Sequence, residues 1–149
     1  ATTQLNGTPG DRILFGTPGN DNLTGGSGNN ILDGLEGNDI LNGGEGNDIL
    51  RGGFGNDTLA GGTGSDSFVF GNSTEGVDTI ADFKSSEGDR IVVSATGFGG
   101  GLTPNAFLDK SQFVLGTVAA DSSDRFIYDP ATGNLFFDPD GTGNAPQQQ

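Results

Sequence analysis

The feature that most constrains this chain is a period of nine residues. From Gly7 to Val69 it runs seven times without a gap, each copy opening on a glycine: Gly7, Gly16, Gly25, Gly34, Gly43, Gly52 and Gly61. Residues 43–60, GGEGNDILRGGFGNDTLA, show two copies in full. Glycine also holds position 4 of every copy: Gly10, Gly19, Gly28, Gly37, Gly46, Gly55 and Gly64. Position 8 is always large and apolar: Leu14, Leu23, Leu32, Leu41, Leu50, Leu59 and Phe68. Position 6 is Asp21, Asp39, Asp48, Asp57 or Asp66, with Arg12 and Asn30 as exceptions, and position 5 is mostly Asn. A flexible glycine-rich linker would not keep an apolar residue in phase through seven copies. A fixed period of this kind marks a solenoid.

Each nonad divides in two. Residues rich in Gly, Asn and Asp make a turn, because they tolerate positive φ. The residues around the apolar position make a very short strand. One nonad turns the chain once and two bring it back above its start, with coils stacked about 4.8 Å apart as in any sheet. The position-8 side chains then point inward from two facing parallel sheets. One buried Leu contributes at most roughly 2–3 kcal/mol, whereas ordering the backbone costs ~1–2 kcal/mol per residue. One Leu cannot support a whole ordered nonad, so the loops need a second source of stability.

The aspartates are that source. In the stacked coil each loop lies over the loop two nonads earlier, and Asp side chains and glycine-turn carbonyls converge between them. Such an oxygen cage suits a hard cation with six to eight oxygen ligands, namely calcium. The expected ligands are Asp21, Asn30, Asp39, Asp48, Asp57 and Asp66, with backbone contributed by Gly19, Gly28, Gly34, Gly37, Gly43, Gly46, Gly52, Gly55, Gly61 and Gly64. About five or six calcium ions would fit between the loops. One edge carries Asp21, Asp39, Asp57 and then the Asp78 region; the other carries Arg12, Asn30, Asp48 and Asp66, where occupancy should weaken toward the N-terminus.

Composition narrows the function classes. With 20 acidic and 6 basic residues the net charge is -14, so the chain should repel nucleic acid and anionic membranes and attract polyvalent cations. It has no Cys and no His, which excludes zinc sites, cysteine nucleophiles and Ser-His-Asp triads within it. No apolar run approaches a membrane span, so no membrane insertion is expected. The start, ATTQLNGTPG, has neither the basic nor the apolar region of a signal peptide and no initiator Met, which suits a processed chain or a fragment.

These nonads resemble the calcium-binding repeats of the RTX (repeats-in-toxin, hemolysin-type) family, whose unit is G-G-x-G-x-D-x-U-x; the copies from Gly43, Gly52 and Gly61 match it throughout. The resemblance implies an all-β, right-handed parallel β-roll with calcium between its loops and secretion outside a Gram-negative-type cell. The segment FVFG…VDTIADF…GDRI resembles the region that follows the last nonads in RTX proteins, which implies that Asp78 and Asp82 belong to a final, irregular calcium-binding turn. RTX proteins commonly end in a secretion signal for a type I exporter; this chain ends GTGNAPQQQ, polar and expected to be disordered.

After the repeats, Phe, Val and Ile become frequent. We expect a lead-in over 1–6, the roll over 7–69, a capping region over 70–143 and a polar tail over 144–149. VDTIADF (77–83), GDRIVV (88–93), RFIYD (125–129) and NLFFD (134–138) read as strands, the last two as a hairpin. TPNAFLDKSQF (103–113) reads as a short helix with Thr103 as N-cap and Pro104 at the first helical position. The cap covers the last coil, so Phe68, Phe70, Ile80, Phe83, Ile91 and Val93 should share one apolar cluster. DPDG (138–141) has the Asp-x-Asp-Gly start of a calcium loop, and a surface turn explains Asp138 and Asp140 equally well.

Three function classes follow. The first is a non-enzymatic, calcium-binding β-roll of a secreted or cell-surface protein that folds on binding calcium. The second is a calcium-dependent structural subunit of an extracellular filament, sheath or surface layer, assembling through the solenoid ends. The third is the non-catalytic tail of a larger secreted enzyme. Catalysis by a carboxylate pair in this chain competes with a metal-ligand reading of every clustered Asp.

Overall fold

In a computed structural model of the chain, the residues described are 3–71, 75–94, 113–115, 126–129, 131–132 and 134–137. They form an all-β solenoid of about four turns with almost no helix. The strands are β1 (Thr3–Asn6), β2 (Ile13–Phe15), β3 (Asp21–Ser27), β4 (Ile31–Glu36), β5 (Ile40–Glu45), β6 (Ile49–Phe54), β7 (Thr58–Thr63), β8 (Ser67–Phe70), β9 (Thr79–Ile80), β10 (Arg90–Val93), β11 (Phe113–Leu115), β12 (Phe126–Asp129) and β13 (Asn134–Phe137). A 3-10 turn spans Ser85–Glu87.

Successive strands alternate between two sheets. One runs in the order β1-β3-β5-β7-β9-β13-β12-β11 and the other β10-β8-β6-β4-β2. Within the roll every pairing is parallel and in phase with the repeat. Leu5 stands over Leu23, Leu23 over Leu41, and Leu41 over Leu59. In the other sheet Leu14 stands over Leu32, Leu32 over Leu50, and Leu50 over Phe68. These stacks meet in a core of Leu23, Leu32, Leu41, Leu50, Leu59, Phe68, Phe70 and Ile80. Leu5, Leu14, Phe83, Ile91 and Val93 pack against it. The apolar cluster expected at the last coil is present.

The repeat register extends beyond the seven nonads of the sequence. At the start, β1 sets Thr3 opposite Asp21 and Leu5 opposite Leu23. At the end, Ile80 of β9 follows Leu59, and Ile91 of β10 follows Phe68. Both sheets therefore continue past residue 70. The strands expected over 88–93, 125–129 and 134–138 are found as β10, β12 and β13, with β12 antiparallel to β13 as a hairpin, whereas of the strand expected over 77–83 only Thr79–Ile80 forms, as β9. A single antiparallel pairing, Asn134 with Thr79, joins this hairpin to the roll. Strand β11 was not expected. The helix expected over 103–113 lies outside the described residues except for Phe113, which opens β11. The DPDG segment and the tail also lie outside them.

Candidate metal centres

The loops lie along two edges of the roll, and the position-6 side chains line each edge in a row. Asp21, Asp39, Asp57, Asp66 and Asp48 are all no more than 2% exposed, and Asn30 is fully buried. Burying a carboxylate is costly unless its oxygens are matched. One oxygen of each is matched by the neighbouring coil. Asp39 Oδ1 accepts the amide of Asp21 at 2.7 Å, and Asp57 Oδ1 accepts that of Asp39 at 2.8 Å. On the other edge Asp48 Oδ1 accepts the Asn30 amide at 2.7 Å, and Asp66 Oδ1 that of Asp48 at 2.8 Å.

The second oxygen is unmatched in four of these residues. Oδ2 of Asp39, Asp48, Asp57 and Asp66 is buried with no hydrogen-bond partner, as is the amide oxygen Oδ1 of Asn30. Each orphan oxygen lies against the position-1 glycine of its own nonad. A Cβ on Gly34 would collide with Asp39 Oδ2, and one on Gly43 with Asp48 Oδ2. The carbonyl of the position-1 glycine one coil on crowds the same space: Gly52 O beside Gly34, and Gly61 O 2.6 Å from the Cβ point of Gly43. A carboxylate oxygen and a main-chain carbonyl thus converge where glycine leaves room. A buried carboxylate oxygen without a partner, converging with a peptide carbonyl, attracts a hard cation and nothing apolar. Among the described residues no three carboxylates meet at one point; the donors on offer are one carboxylate per loop and peptide carbonyls, the oxygen chemistry of calcium.

The electrostatics follow. Burial, the largest effect, pushes Asp39 up to about 6 and Asp78 up to about 7, and neighbouring carboxylates along the row add to it. Burial also raises Asp48, Asp57 and Asp66. Asp21 moves the other way, because the Thr17 amide donates to its carboxylate.

Position 5 has a separate task. Asn20, Asn29, Asn38 and Asn47 each accept, through Oδ1, the amide of the position-5 residue one coil on: Asn38, Asn47, Asn56 and Ser65, at 2.8–2.9 Å. The Asn side chain thus reaches forward along the roll and the adjacent Asp reaches back.

At the C-terminal end Asp78 joins the first row, its Oδ1 accepting the Asp57 amide at 2.9 Å. Asp82 stands apart from the rows. Its two oxygens accept the successive amides of Gly61 and Gly62, each at 2.8 Å, and so close the main chain of the last coil. The sequence reading missed Asp89. It continues the second row after Asp66, accepting the Asp66 amide at 3.0 Å. Part of its signal was present: Ile91 follows it by two residues, as Leu follows Asp in the nonads, but Gly88 stands where the nonads carry Asn and 23 residues separate it from Asp66, outside the period of nine.

The fold and the rows define a calcium-binding solenoid. A sequence profile of the RTX calcium-binding nonapeptide repeat, four copies long, matches residues 6–41, 15–50 and 33–68. Residues 6–68 are RTX calcium-binding nonapeptide repeats. No curated protein matches the chain in a sequence search. Among the described residues no helix is long and apolar enough to cross a membrane.

Proposed function

We propose that this chain is a calcium-dependent β-roll module that works outside the cell and folds when calcium reaches it. Asp39, Asp48, Asp57 and Asp66 supply carboxylate oxygens, Gly52 and Gly61 supply carbonyls, and Asp78 prolongs the first row. The observation that carries this reading is the set of four buried Oδ2 atoms without partners. Without a cation each leaves an uncompensated charge in a chain of net charge -14. Calcium reverses the sign of that interaction and ties one coil to the next, so its binding free energy becomes folding free energy. Extracellular calcium modules bind at about 10⁻⁴–10⁻³ M. A module in that range stays open in calcium-poor cytosol, which suits passage through a type I exporter, and closes outside. The module does no chemistry itself, and any catalytic domain of the parent protein would lie outside this chain. Far-ultraviolet circular dichroism during a calcium titration tests this. Calcium should convert a disordered spectrum into a β spectrum, and magnesium at equal concentration should fail, because it demands a tighter octahedron. A fully folded spectrum in excess chelator refutes it.

A second reading, assembly of rolls into a surface structure, has one observation in its favour. Ile13, Ile31 and Ile49 stack in register on the outside of one sheet, and each is at least 39% exposed. Such an apolar ladder is an association surface. Sedimentation velocity with calcium should then show oligomers that Ile31→Lys dissolves; a monomer at high concentration ends this reading.

A further inference from the structure

We propose that three of the four row ends, those at Asp21, Asn30 and Asp89, are closed by the protein's own hydrogen-bond donors, so that calcium loads Asp39, Asp48, Asp57 and Asp66 but not Asp21, Asn30 or Asp89. This rests on the calcium reading above. The first two nonads differ from the rest: both read Gly-Thr-Pro-Gly, at 7–10 and 16–19. In later nonads position 2 has positive φ, at Gly26 (+94°), Leu35 (+79°), Gly44 (+109°), Gly53 (+101°) and Gly62 (+98°). Thr17 does not, and a residue before proline is held in the extended region. The loop therefore turns its amide toward Asp21. Thr17 N donates to Asp21 Oδ2 at 2.5 Å, and its hydroxyl lies 3.1 Å from each carboxylate oxygen. Thr3 N donates to Oδ1 at 3.1 Å. The carboxylate that is half-satisfied in Asp39 is fully satisfied in Asp21.

The second edge is closed by different means. At its N-terminal end Asn30 brings a nitrogen where the aspartates bring Oδ2: Nδ2 lies 2.7 Å from the Cβ point of Gly25. That nitrogen donates to Gly28 O at 3.0 Å and Gly43 O at 3.5 Å, while Asn30 Oδ1 is buried without a partner. At the C-terminal end Asp89 repeats the arrangement of Asp21, with Lys84 N donating to its Oδ2 at 2.7 Å. A proton aimed at a buried oxygen supplies the positive potential that a cation supplies elsewhere in the row. At Asp21, Asn30 and Asp89 a protein donor thus stands where the inner loops leave an oxygen for a cation.

Counting bound calcium by equilibrium dialysis of the full chain at pH 7.5 tests this. Asp21→Asn and Asp89→Asn should leave the count unchanged, and Asp39→Asn should lower it by at least one. Two gain variants keep the test independent of folding defects. Asn30→Asp should add one ion, and so should Thr17→Gly combined with Pro18→Glu, which copies the GGEG of residues 43–46. In the calcium-loaded chain the Thr17 amide should resist hydrogen exchange. A loss of calcium with Asp21→Asn equal to that with Asp39→Asn overturns the inference, as does a failure of both gain variants to add an ion. A count of zero in the unaltered chain overturns the calcium reading and this inference together.

Discussion

Oδ2 of Asp48 lies where a side chain on Gly43 would have to begin. The two residues are five apart in one nonad, and each explains the other: the glycine is there because the carboxylate needs its space. Gly43 is not among the positive-φ glycines, so replacing it changes packing rather than backbone strain. Gly43→Ala should destabilise the calcium-loaded roll by roughly 1–3 kcal/mol, the usual range for overpacking, and raise the calcium midpoint several-fold. Asp48→Ala should not rescue it, because Gly61 O occupies the same space at 2.6 Å. Calcium titrations of the single and double variants decide the point.

Leu35 should invert the usual order of alanine and glycine. It is the one non-glycine described at positive φ, +79°, at the position where four other nonads carry glycine. A left-handed conformation costs a side-chain-bearing residue about 1–2 kcal/mol. Leu35→Gly should therefore give a roll more stable than Leu35→Ala by about 1 kcal/mol, despite glycine's entropic cost. Thermal unfolding of both variants at saturating calcium checks it.

Acid should partly replace calcium. Burial raises Asp39 to about 6 and Asp78 to about 7, from an ordinary value of 3.8, and raises Asp48, Asp57 and Asp66 too. The folded, metal-free roll then binds more protons than the unfolded chain near neutrality. The contribution is fully present below the unfolded value and is lost as pH rises through about 6 to 7. Calcium-depleted protein should gain β-structure by circular dichroism between pH 7.5 and pH 5, while calcium affinity falls over the same range. Less structure at pH 5 than at pH 7.5 would contradict this account.

Asn47→Ala and Asp48→Asn should separate the two side-chain ladders. Asn47 Oδ1 accepts the exposed Ser65 amide at 2.9 Å. Its loss should cost about 1 kcal/mol and leave the calcium count unchanged. Asp48→Asn should reduce the count. Dialysis on the two variants distinguishes a backbone brace from a metal ligand.

Much of this was legible in the sequence, for a physical reason. A strict period forces stacked copies into register, so the phase of Leu23, Leu41 and Leu59 reveals the sheets, and the phase of Asp39 and Asp57 reveals a row. The reading lost ground where the period breaks. Asp78 follows Asp57 by 21 residues and Asp89 follows Asp66 by 23; the first was found by resemblance and the second not at all. The role of Asn38 and Asn47 was hidden because asparagine suits a turn on local grounds alone. Thr17 is subtler: the sequence shows the Thr-Pro pair, but only the folded loop shows that its amide meets Asp21.

The central claim is that the four orphan carboxylate oxygens face calcium. Crystals grown in calcium, with anomalous differences measured at long wavelength, test it most directly. The account predicts peaks inside the roll beside Oδ2 of Asp39, Asp48, Asp57 and Asp66, arrayed in two rows along the loop edges. Ordered, folded protein with those oxygens facing only water or protein donors, and calcium confined to the surface, would contradict it.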